Sequence, residues 1–161
     1  MQLENKVIIV TGASSGIGAA AARLFASQGA RLVIGARRKA KLDAVAADIV
    51  KAGGRAVAVD GDVREEAFAA RLVETALSEF GGLNGAFNNA GTMGETGPVP
   101  QMDPENWRSV LAVNLDGAFF AAKHQIPALR KPGGSIVFTS SFVGHTIGLP
   151  GMGAYAAAKA G

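Results

Sequence analysis

Short apolar runs rich in β-branched residues alternate with longer alanine-rich segments along most of the chain. That alternation is typical of βαβ units, in which helices cover both faces of a parallel sheet. The runs are almost continuously apolar, as expected for strands that are buried on both sides. The pattern predicts five strands, at Lys6–Thr11, Arg31–Gly35, Arg55–Val59, Leu83–Asn88 and Gly134–Thr139.

The segments between the strands place apolar residues at helical spacing. Three predicted helices each end near glycine, which stops a helix because it enters the left-handed region at little cost. They cover Ile17–Gln28, Ala40–Ala52 and Glu65–Phe80. A fourth helix is predicted to begin with Asp103 as N-cap and Pro104 in its first turn, and to run to about Arg130. We expect a loop at Gly94–Gln101 and the start of another helix near Tyr155.

This order of elements predicts an α/β fold with a Rossmann-like, doubly wound parallel sheet of strand order 3-2-1-4-5. The length of 161 residues fits a single dinucleotide-binding and catalytic domain over residues 1–161. That architecture has a sixth strand, whereas here the fifth strand precedes only a loop and the first turns of a helix. We therefore expect the sequence to be incomplete at its C-terminal end, without the later strands and helices.

Composition excludes several functional classes. The absence of cysteine excludes disulfides, thiolate catalysis and sulfur-ligated metals, and fits a reducing compartment. The 16 Lys and Arg residues against 13 Asp and Glu give a net charge of only +3, and they are scattered rather than gathered in a nucleic-acid-binding stripe. No apolar run approaches the roughly 18 residues of a membrane helix, and the amino terminus lacks a signal-peptide pattern. We expect a cytoplasmic protein with no metal, nucleic-acid or membrane partner.

A glycine-rich segment follows the first predicted strand and opens the first predicted helix. In such a place Gly12 permits a tight turn, Gly16 lets the backbone approach a pyrophosphate, and Gly18 lets the helix pack closely on the strand. Free N–H groups at the start of the helix bind the phosphates. The alternative is a glycine-rich turn that binds no ligand. The predicted phosphate-binding residues are Gly12, Ser14, Ser15, Gly16, Ile17 and Gly18.

The residues after the second strand distinguish the two nicotinamide cofactors. An acidic residue there binds the ribose 2′-hydroxyl, whereas an arginine binds a 2′-phosphate. The sequence has Ala36, Arg37 and Arg38 at this point and no carboxylate. NADP(H) is therefore predicted in preference to NAD(H), with Arg37 as the main phosphate ligand and Arg38 either assisting it or solvated. An exposed basic turn without a ligand is the alternative.

Tyr155 and Lys159 are four residues apart, which places a phenol and an ammonium on one face of a helix. A tyrosine, with an ordinary pKa of about 10, exchanges protons poorly at neutral pH, and a neighbouring cation favours its phenolate form. Tyr155 is the only tyrosine of the chain. Upstream, Ser140 and Ser141 end the fifth strand at the carboxyl edge of the sheet, where a hydroxyl can bond a substrate carbonyl and the developing alkoxide.

These marks together resemble the short-chain dehydrogenase/reductase family over nearly the whole chain, from Lys6 to Ala160. The glycine spacing is that of the family, Gly-x-x-x-Gly-x-Gly. The chain also carries the family's other marks, which are Asp62-Val63, Asn88-Asn89-Ala90-Gly91, Asn114, the serine pair and Tyr155-x-x-x-Lys159.

The resemblance implies roles for these residues. Asp62 and Val63 would contact the adenine, although Asp62 can also cap the following helix. Asn89, Ala90 and Gly91 would lie along the cofactor, as would Tyr155 and Lys159. Ser141, the second serine of its pair, is favoured over Ser140 as the catalytic serine, although it lies one residue further from the tyrosine than the family's spacing. Asn114 would support a proton path through the lysine, although a purely structural asparagine would also fit a mid-helix position.

The resulting hypothesis is an NADP(H)-dependent oxidoreductase that transfers a hydride between the nicotinamide and a carbonyl or secondary alcohol, with Tyr155 as proton donor or acceptor. A ketone, sugar, steroid or 3-oxoacyl thioester would each suit the residues. The resemblance further implies a homo-oligomer, a dimer or tetramer, that pairs through the helices holding Asn114 and Tyr155. Their alanine-rich surface, with Phe119 and Phe120 nearby, would bury apolar area between subunits. The alternative is a catalytically silent nucleotide-binding or oligomerisation module, if the chain truly ends at Gly161.

Overall fold

The computed structural model describes residues 1–129 and 133–161. Its five strands form one parallel sheet of order β3-β2-β1-β4-β5, which confirms the predicted topology. Because all the strands are parallel, their carboxyl ends meet along one edge of the sheet. The strands are β1 Val7–Thr11, β2 Arg31–Ala36, β3 Arg55–Asp60, β4 Gly85–Asn88 and β5 Ser135–Phe138.

Helices lie on both faces of this sheet. Their bounds are α1 Gly16–Ser27, α2 Lys39–Lys51, α3 Glu66–Phe80, α4 Pro104–Leu111, α5 Gly117–Leu129 and α6 Gly153–Ala160. On one face α1 and α2 pack against Ile8 and Val10 of β1. On the other face α3 and the end of α5 pack against Val7 and Ile9 of the same strand. Both sides of β1 are thus buried, which explains its unbroken run of apolar residues.

The predicted fourth helix is not one regular helix. It divides into α4 and α5, and a π-helical turn at Ala112–Asp116 joins them. Asp103 caps α4 as expected, since its side chain accepts the N–H of Glu105 at 3.0 Å. The predicted end near Arg130 lies outside the described residues. Within the described parts of the chain, no helix is both long and apolar enough to cross a membrane.

Two further local expectations need correction. The fourth strand begins at Gly85 rather than Leu83, because Asn84 instead bonds Val7 with its backbone N–H at 2.8 Å and its side-chain oxygen at 2.9 Å. The segment predicted as a loop, Gly94–Gln101, contains a 3₁₀ turn over its last three residues, Val99–Gln101.

Side chains fix α5 against the start of α3. The Glu66 carboxylate accepts the Lys123 Nζ at 2.7 Å and lies 3.0 Å from the His124 Nε2. This tie holds α5 beside the carboxyl ends of β4 and β5, where the predicted site residues gather.

Candidate cofactor and active site

The glycine-rich segment forms a tight turn between β1 and α1. Gly12 has a φ of +70°, in the left-handed region that glycine adopts without strain. A Cβ on Gly18 would lie only 2.7 Å from the carbonyl carbon of Gly12, so a side chain there would push α1 away from the strand. The turn therefore has the close packing that the sequence predicts for this helix.

A cavity of about 330 Å³ opens beside this turn. It gathers eleven of the thirteen residues predicted to bind a dinucleotide through the phosphate loop, the basic turn and the two family segments. They are Gly12, Ser14, Ser15, Ile17, Arg37, Arg38, Asp62, Val63, Asn89, Ala90 and Gly91. Gly16 and Gly18 belong to the same turn but do not line the cavity. Tyr155 and Lys159, the two remaining predicted cofactor contacts, do not line it either.

The two arginines are held differently. The Arg38 guanidinium donates to the Ser14 hydroxyl at 3.0 Å and to the Ser15 hydroxyl at 2.6 Å, so it lies on the phosphate loop rather than in solvent alone. The side chain of Arg37 is 69% exposed and its Nη1 lies 4.0 Å from an Asp62 carboxylate oxygen. Arg37 is therefore the freer of the two cations.

Asp62 is fixed by a neighbour that the sequence does not single out. Arg64 donates to the Asp62 carboxylate through its Nη2 at 2.7 Å and its Nε at 3.0 Å. The hydrogen bond from Arg64 holds the pKa of Asp62 below its usual range. Glu65, not Asp62, occupies the cap position of α3, and the other Asp62 oxygen accepts the N–H of Arg64. The idea that Asp62 caps α3 is therefore wrong.

The segment after β4 is tied to the end of β1. The buried Thr11 hydroxyl accepts the backbone N–H groups of Asn89 and Ala90 at 3.1 and 3.2 Å. The Asn89 side chain donates to the Thr11 carbonyl at 3.3 Å. The residues that directly follow the two strands, Gly12 and Asn89, thus line the same cavity.

Asn114 lies in the π-helical turn and is 8% exposed. Its Nδ2 donates to the carbonyls of Thr92 and Val110 at 2.8 and 2.9 Å, and its Oδ1 accepts the N–H of Thr92 at 3.2 Å. Single π turns are frequent at functional sites. Asn114 therefore fixes the segment that follows β4, and its amide has a structural role in addition to the role that the family resemblance implies.

Lys159 lies on α6, and its Nζ donates to the Thr139 carbonyl at 2.7 Å. Burial lowers the pKa of Lys159, because desolvation penalises the charged ammonium. The Nζ lies 5.8 Å from the centroid of the Tyr155 ring. The pair predicted from its four-residue spacing is thus side by side on the helix, with the ammonium also bonded to the end of β5.

A second cavity, of about 550 Å³, lies at the carboxyl edge of β4 and β5. Asn114, Ser140 and Lys159 line it, whereas Ser141 and Tyr155 do not. The Ser141 hydroxyl accepts the N–H of Val143 at 3.1 Å. Tyr155 packs beside Val110 and the alanines of α6. The structure thus brings three of the residues near the predicted chemistry to one cavity, with Ser140 rather than Ser141 as the serine that lines it.

Sequence reasoning missed a buried amide pair on the wall of the same cavity. Asn88 is 9% exposed and Gln125 is 2% exposed. The Asn88 Nδ2 donates to the Gln125 Oε1 at 2.8 Å, and the Gln125 Nε2 donates to the Asn88 Oδ1 at 2.9 Å. One signal was present, because Gln125 occupies the inward stripe of α5 that Ala121 and Leu129 also occupy. For Arg64 and Thr11, which act through neighbours, the sequence carries no comparable signal.

Comparison with known proteins supports the resemblance. The chain matches the short chain dehydrogenase family over residues 6–161. It is 36% identical over 160 residues to a cyclohexanol dehydrogenase of an Acinetobacter species, covering 99% of this chain and 64% of that protein. It is 41% identical over 157 residues to a cis-4-hydroxycyclohexanecarboxylate dehydrogenase of Sinomonas cyclohexanicum, covering 97% of this chain and 62% of that protein. The chain therefore spans less than two thirds of the length of these relatives.

A solved structure has the same fold. The 3-ketoacyl-ACP reductase of Sinorhizobium meliloti superposes with a TM-score of 0.91 at 38% sequence identity, covering 96% of this chain and 61% of that one. The family match, these relatives and the 3-2-1-4-5 sheet agree with one another. The chain therefore belongs to the short chain dehydrogenase family.

Proposed function

We propose that the protein is an NADP(H)-dependent oxidoreductase that interconverts a carbonyl and a secondary alcohol. Family membership supports a nicotinamide cofactor, either NAD(H) or NADP(H). The residues fit such a cofactor, because Gly18 packs against the backbone of Gly12 at the start of α1, where free N–H groups can bind a pyrophosphate. The cavity beside this turn then offers the arginines and Asp62 to the adenosine end.

The observation that carries the proposal is the place of Gly91. Gly91 lines the cavity beside the phosphate loop. A Cβ on Gly91 would lie 2.9 Å from the Asn114 Oδ1 and 3.9 Å from the Lys159 Nζ. One residue therefore adjoins both the cofactor cavity and the two polar groups next to the predicted chemistry, which supports a cofactor that runs from one to the other.

The cofactor, when bound, supplies or accepts the hydride. Tyr155 then gives its proton to the carbonyl oxygen, or takes it back from the alcohol. Lys159, with its Nζ held by the Thr139 carbonyl and 5.8 Å from the centroid of the Tyr155 ring, would bind the ribose hydroxyls of the cofactor. The Ser141 oxygen accepts the Val143 N–H, so its own O–H can donate to the substrate oxygen and polarise it. Asn114 supports the proton path beside Lys159.

The preference for NADP(H) rests on charge. Ala36 ends β2 where a carboxylate would bind a ribose 2′-hydroxyl, and Arg37 and Arg38 follow it along the cavity wall. The exposed Arg37 guanidinium is free to form a bidentate pair with a phosphate. Arg38 supports it from the loop serines.

For the substrate we propose an alicyclic secondary alcohol or its ketone. Two relatives carry names that specify ring alcohols, cyclohexanol and 4-hydroxycyclohexanecarboxylate. The cavity that Ser140 and Lys159 line also presents Phe119 and Phe138, so it offers apolar surface to a ring.

The test is a turnover assay on the purified protein, following the ultraviolet absorbance of the reduced nicotinamide. Cyclohexanol with NADP⁺ and cyclohexanone with NADPH should both be converted, more efficiently than with the NAD forms. Tyr155→Phe should bind NADPH as before and lose about 100-fold or more in kcat, because it lacks the proton donor. Conversion by the phenylalanine variant at the original rate would contradict the assignment of Tyr155.

A silent nucleotide-binding module is the second candidate. One observation favours it, because Tyr155 and Ser141 do not line the cavity of Lys159 and Ser140. Tight NADPH binding without conversion of cyclohexanol or cyclohexanone would support this candidate and overturn the oxidoreductase.

We also infer a cytoplasmic homo-oligomer, a dimer or tetramer. Phe119 on α5 is 61% exposed, and its ring lies against that of Phe120 at an interplanar angle of 54° and a centroid separation of 5.7 Å. An exposed aromatic pair of this kind supports association. Light scattering should give a mass of two or four chains, and a monomer at micromolar concentration would contradict this inference.

A further inference from the structure

The backbone of Asn88 links the buried amide pair to the catalytic lysine. The Asn88 carbonyl accepts the N–H of Thr139 at 3.0 Å, and the Thr139 carbonyl accepts the Lys159 Nζ at 2.7 Å. Asn89, the next residue, donates its N–H to Thr11 at the end of β1. A displacement of Asn88 would therefore reach the ammonium through Thr139, whereas the bonds of Asn89 to Thr11 hold the wall of the cofactor cavity independently.

Packing alone does not explain an amide at position 125. Gln125 faces inward among apolar side chains, where burying a polar group is unfavourable unless it is hydrogen-bonded. An apolar side chain would fill the same space without that requirement. The amide instead makes two bonds to Asn88, which define the orientation of the Asn88 side chain and the position of α5 against the end of β4.

We propose that Gln125 is a positioning residue for the catalytic centre. Its amide fixes the position of the end of β4. Because the Thr139 N–H bonds the Asn88 carbonyl there, this also fixes where the Thr139 carbonyl accepts the Lys159 Nζ. This proposal rests on the proposed oxidoreductase function. Gln125 acts through Asn88 and Thr139, and it does not touch the substrate.

The test compares Gln125→Leu, which leaves the Asn88 amide without its partner, with the double variant Asn88→Gln/Gln125→Asn, which exchanges the two amides and keeps their combined length. In Gln125→Leu we expect kcat to fall between about 10- and 100-fold, as small misplacements of catalytic groups do. The dissociation constant of NADPH should change by less than about threefold, because the phosphate loop and Arg37 are held by other contacts. The exchanged pair should recover most of kcat.

Leu129→Ala is the control for lost stability. Leu129 is buried on the same helix, 6% exposed. It packs in the apolar cluster that contains Val7 and Ile9 of β1 and takes no part in the amide pair. It should lower the melting temperature at least as much as Gln125→Leu while leaving kcat per folded molecule unchanged. If the two variants lose kcat equally, or if Gln125→Leu keeps kcat within about twofold of the original, the positioning role is wrong.

Hydrogen exchange of the Thr139 amide separates this proposal from the proposed function. In the original protein and in the exchanged pair the amide should be protected by the Asn88 carbonyl, and in Gln125→Leu it should exchange faster. If the original protein binds NADPH but converts no substrate, the oxidoreductase fails, and this exchange measurement alone decides the role of Gln125. Equal protection of Thr139 in all variants would overturn it.

Discussion

The phosphate loop and the segment after β5 both follow a strand of the same parallel sheet, yet their side chains are held in different ways. The loop follows β1, which pairs with β2 on one side and β4 on the other. Its residues Ala13 and Ser14 are buried, at 0% and 9% exposure. The segment after β5 follows a strand whose described partner is β4 alone, and Phe142 and Ile147 within it are 60% and 51% exposed.

The two regions differ in what fixes the positions of their side chains. A strand with neighbours on both sides fixes the backbone that leaves it, so the loop meets Arg38 and Asn89 in set positions. The outer strand fixes less, and the segment after it is held mainly by bonds within itself, such as that from Val143 to Ser141, and by the bond from Lys159 to Thr139. Substitutions in the two regions should therefore have different effects.

The largest expected effect tests which serine acts in the less constrained region. Ser141→Ala should lower kcat by about 100-fold or more, because it removes a donor to the developing alkoxide. Ser140→Ala is the matched control and should lower kcat by less than about threefold. Steady-state kinetics on both variants decide the matter. The reverse order would assign the role to Ser140, the serine that lines the cavity.

In the constrained region, Gly18→Ala should weaken NADPH binding by about tenfold or more and lower the free energy of unfolding by about 1–3 kcal/mol, because the new Cβ would overpack the turn. It would lie 2.7 Å from the carbonyl carbon of Gly12. Gly82→Ala is the control, since no atom lies within 4 Å of its added Cβ. By titration and chemical unfolding, the control should keep the NADPH affinity and the free energy of unfolding of the original protein. Unchanged binding in Gly18→Ala would contradict the close packing.

Cofactor choice should divide between the two arginines. Arg37→Asp should reduce the preference for NADPH over NADH by about tenfold or more, since it replaces a phosphate ligand by a like charge. Arg38→Ala should weaken the binding of NADPH and of NADH by similar factors, because Arg38 bonds the loop serines that a pyrophosphate also needs. Fluorescence titration with both cofactors measures this. A selective loss of NADPH in Arg38→Ala alone would make Arg38 the phosphate ligand.

The smallest effect concerns Asp62 and Arg64. Because Arg64 lowers the pKa of Asp62, their pairing stabilises the fold above the ordinary carboxyl value of 3.8 and is lost as the pH falls through the lowered pKa. Arg64→Gln should thus have a lower melting temperature than the original protein at neutral pH. Its free energy of unfolding should fall by less than about 1 kcal/mol, because the pair is partly exposed. The difference should close in acid. Arg23→Gln, which breaks the more exposed pair with Asp48, should lower the melting temperature at neutral pH by less.

Most of the fold could be predicted because its signals are local. Apolar runs gave all five strands to within two residues at each end, and glycines gave the ends of three helices. Gly81, for example, takes a φ of +79° directly after α3. The π turn could not be predicted, because it serves Asn114, whose partner Thr92 is 22 residues away along the chain. A contact of that kind has no local period.

The same distinction applies to the site. The turn that holds Gly12 and Gly18 is contiguous, so its sequence carries its geometry. The bonds of Arg38 to Ser14 and of Gln125 to Asn88 join residues 24 and 37 positions apart. They depend on how β2 and α5 lie beside the loop and β4. The sequence singled out Arg38 and Ser14 but not Gln125, and only the packed sheet shows which of these groups touch.

The π turn also sets the rotational phase of the helix that follows it. The inward-facing positions from α4 to α5 are Val110, Asn114, Gly117, Ala121, Gln125 and Leu129. Nineteen residues separate the first from the last over five turns, whereas five regular α-helical turns take about 18. The wide turn absorbs the extra residue. Deleting one residue other than Asn114 from Ala112–Asp116 would leave 18, about the number that five regular turns take, so the helix would become regular while Gln125 still faces β4.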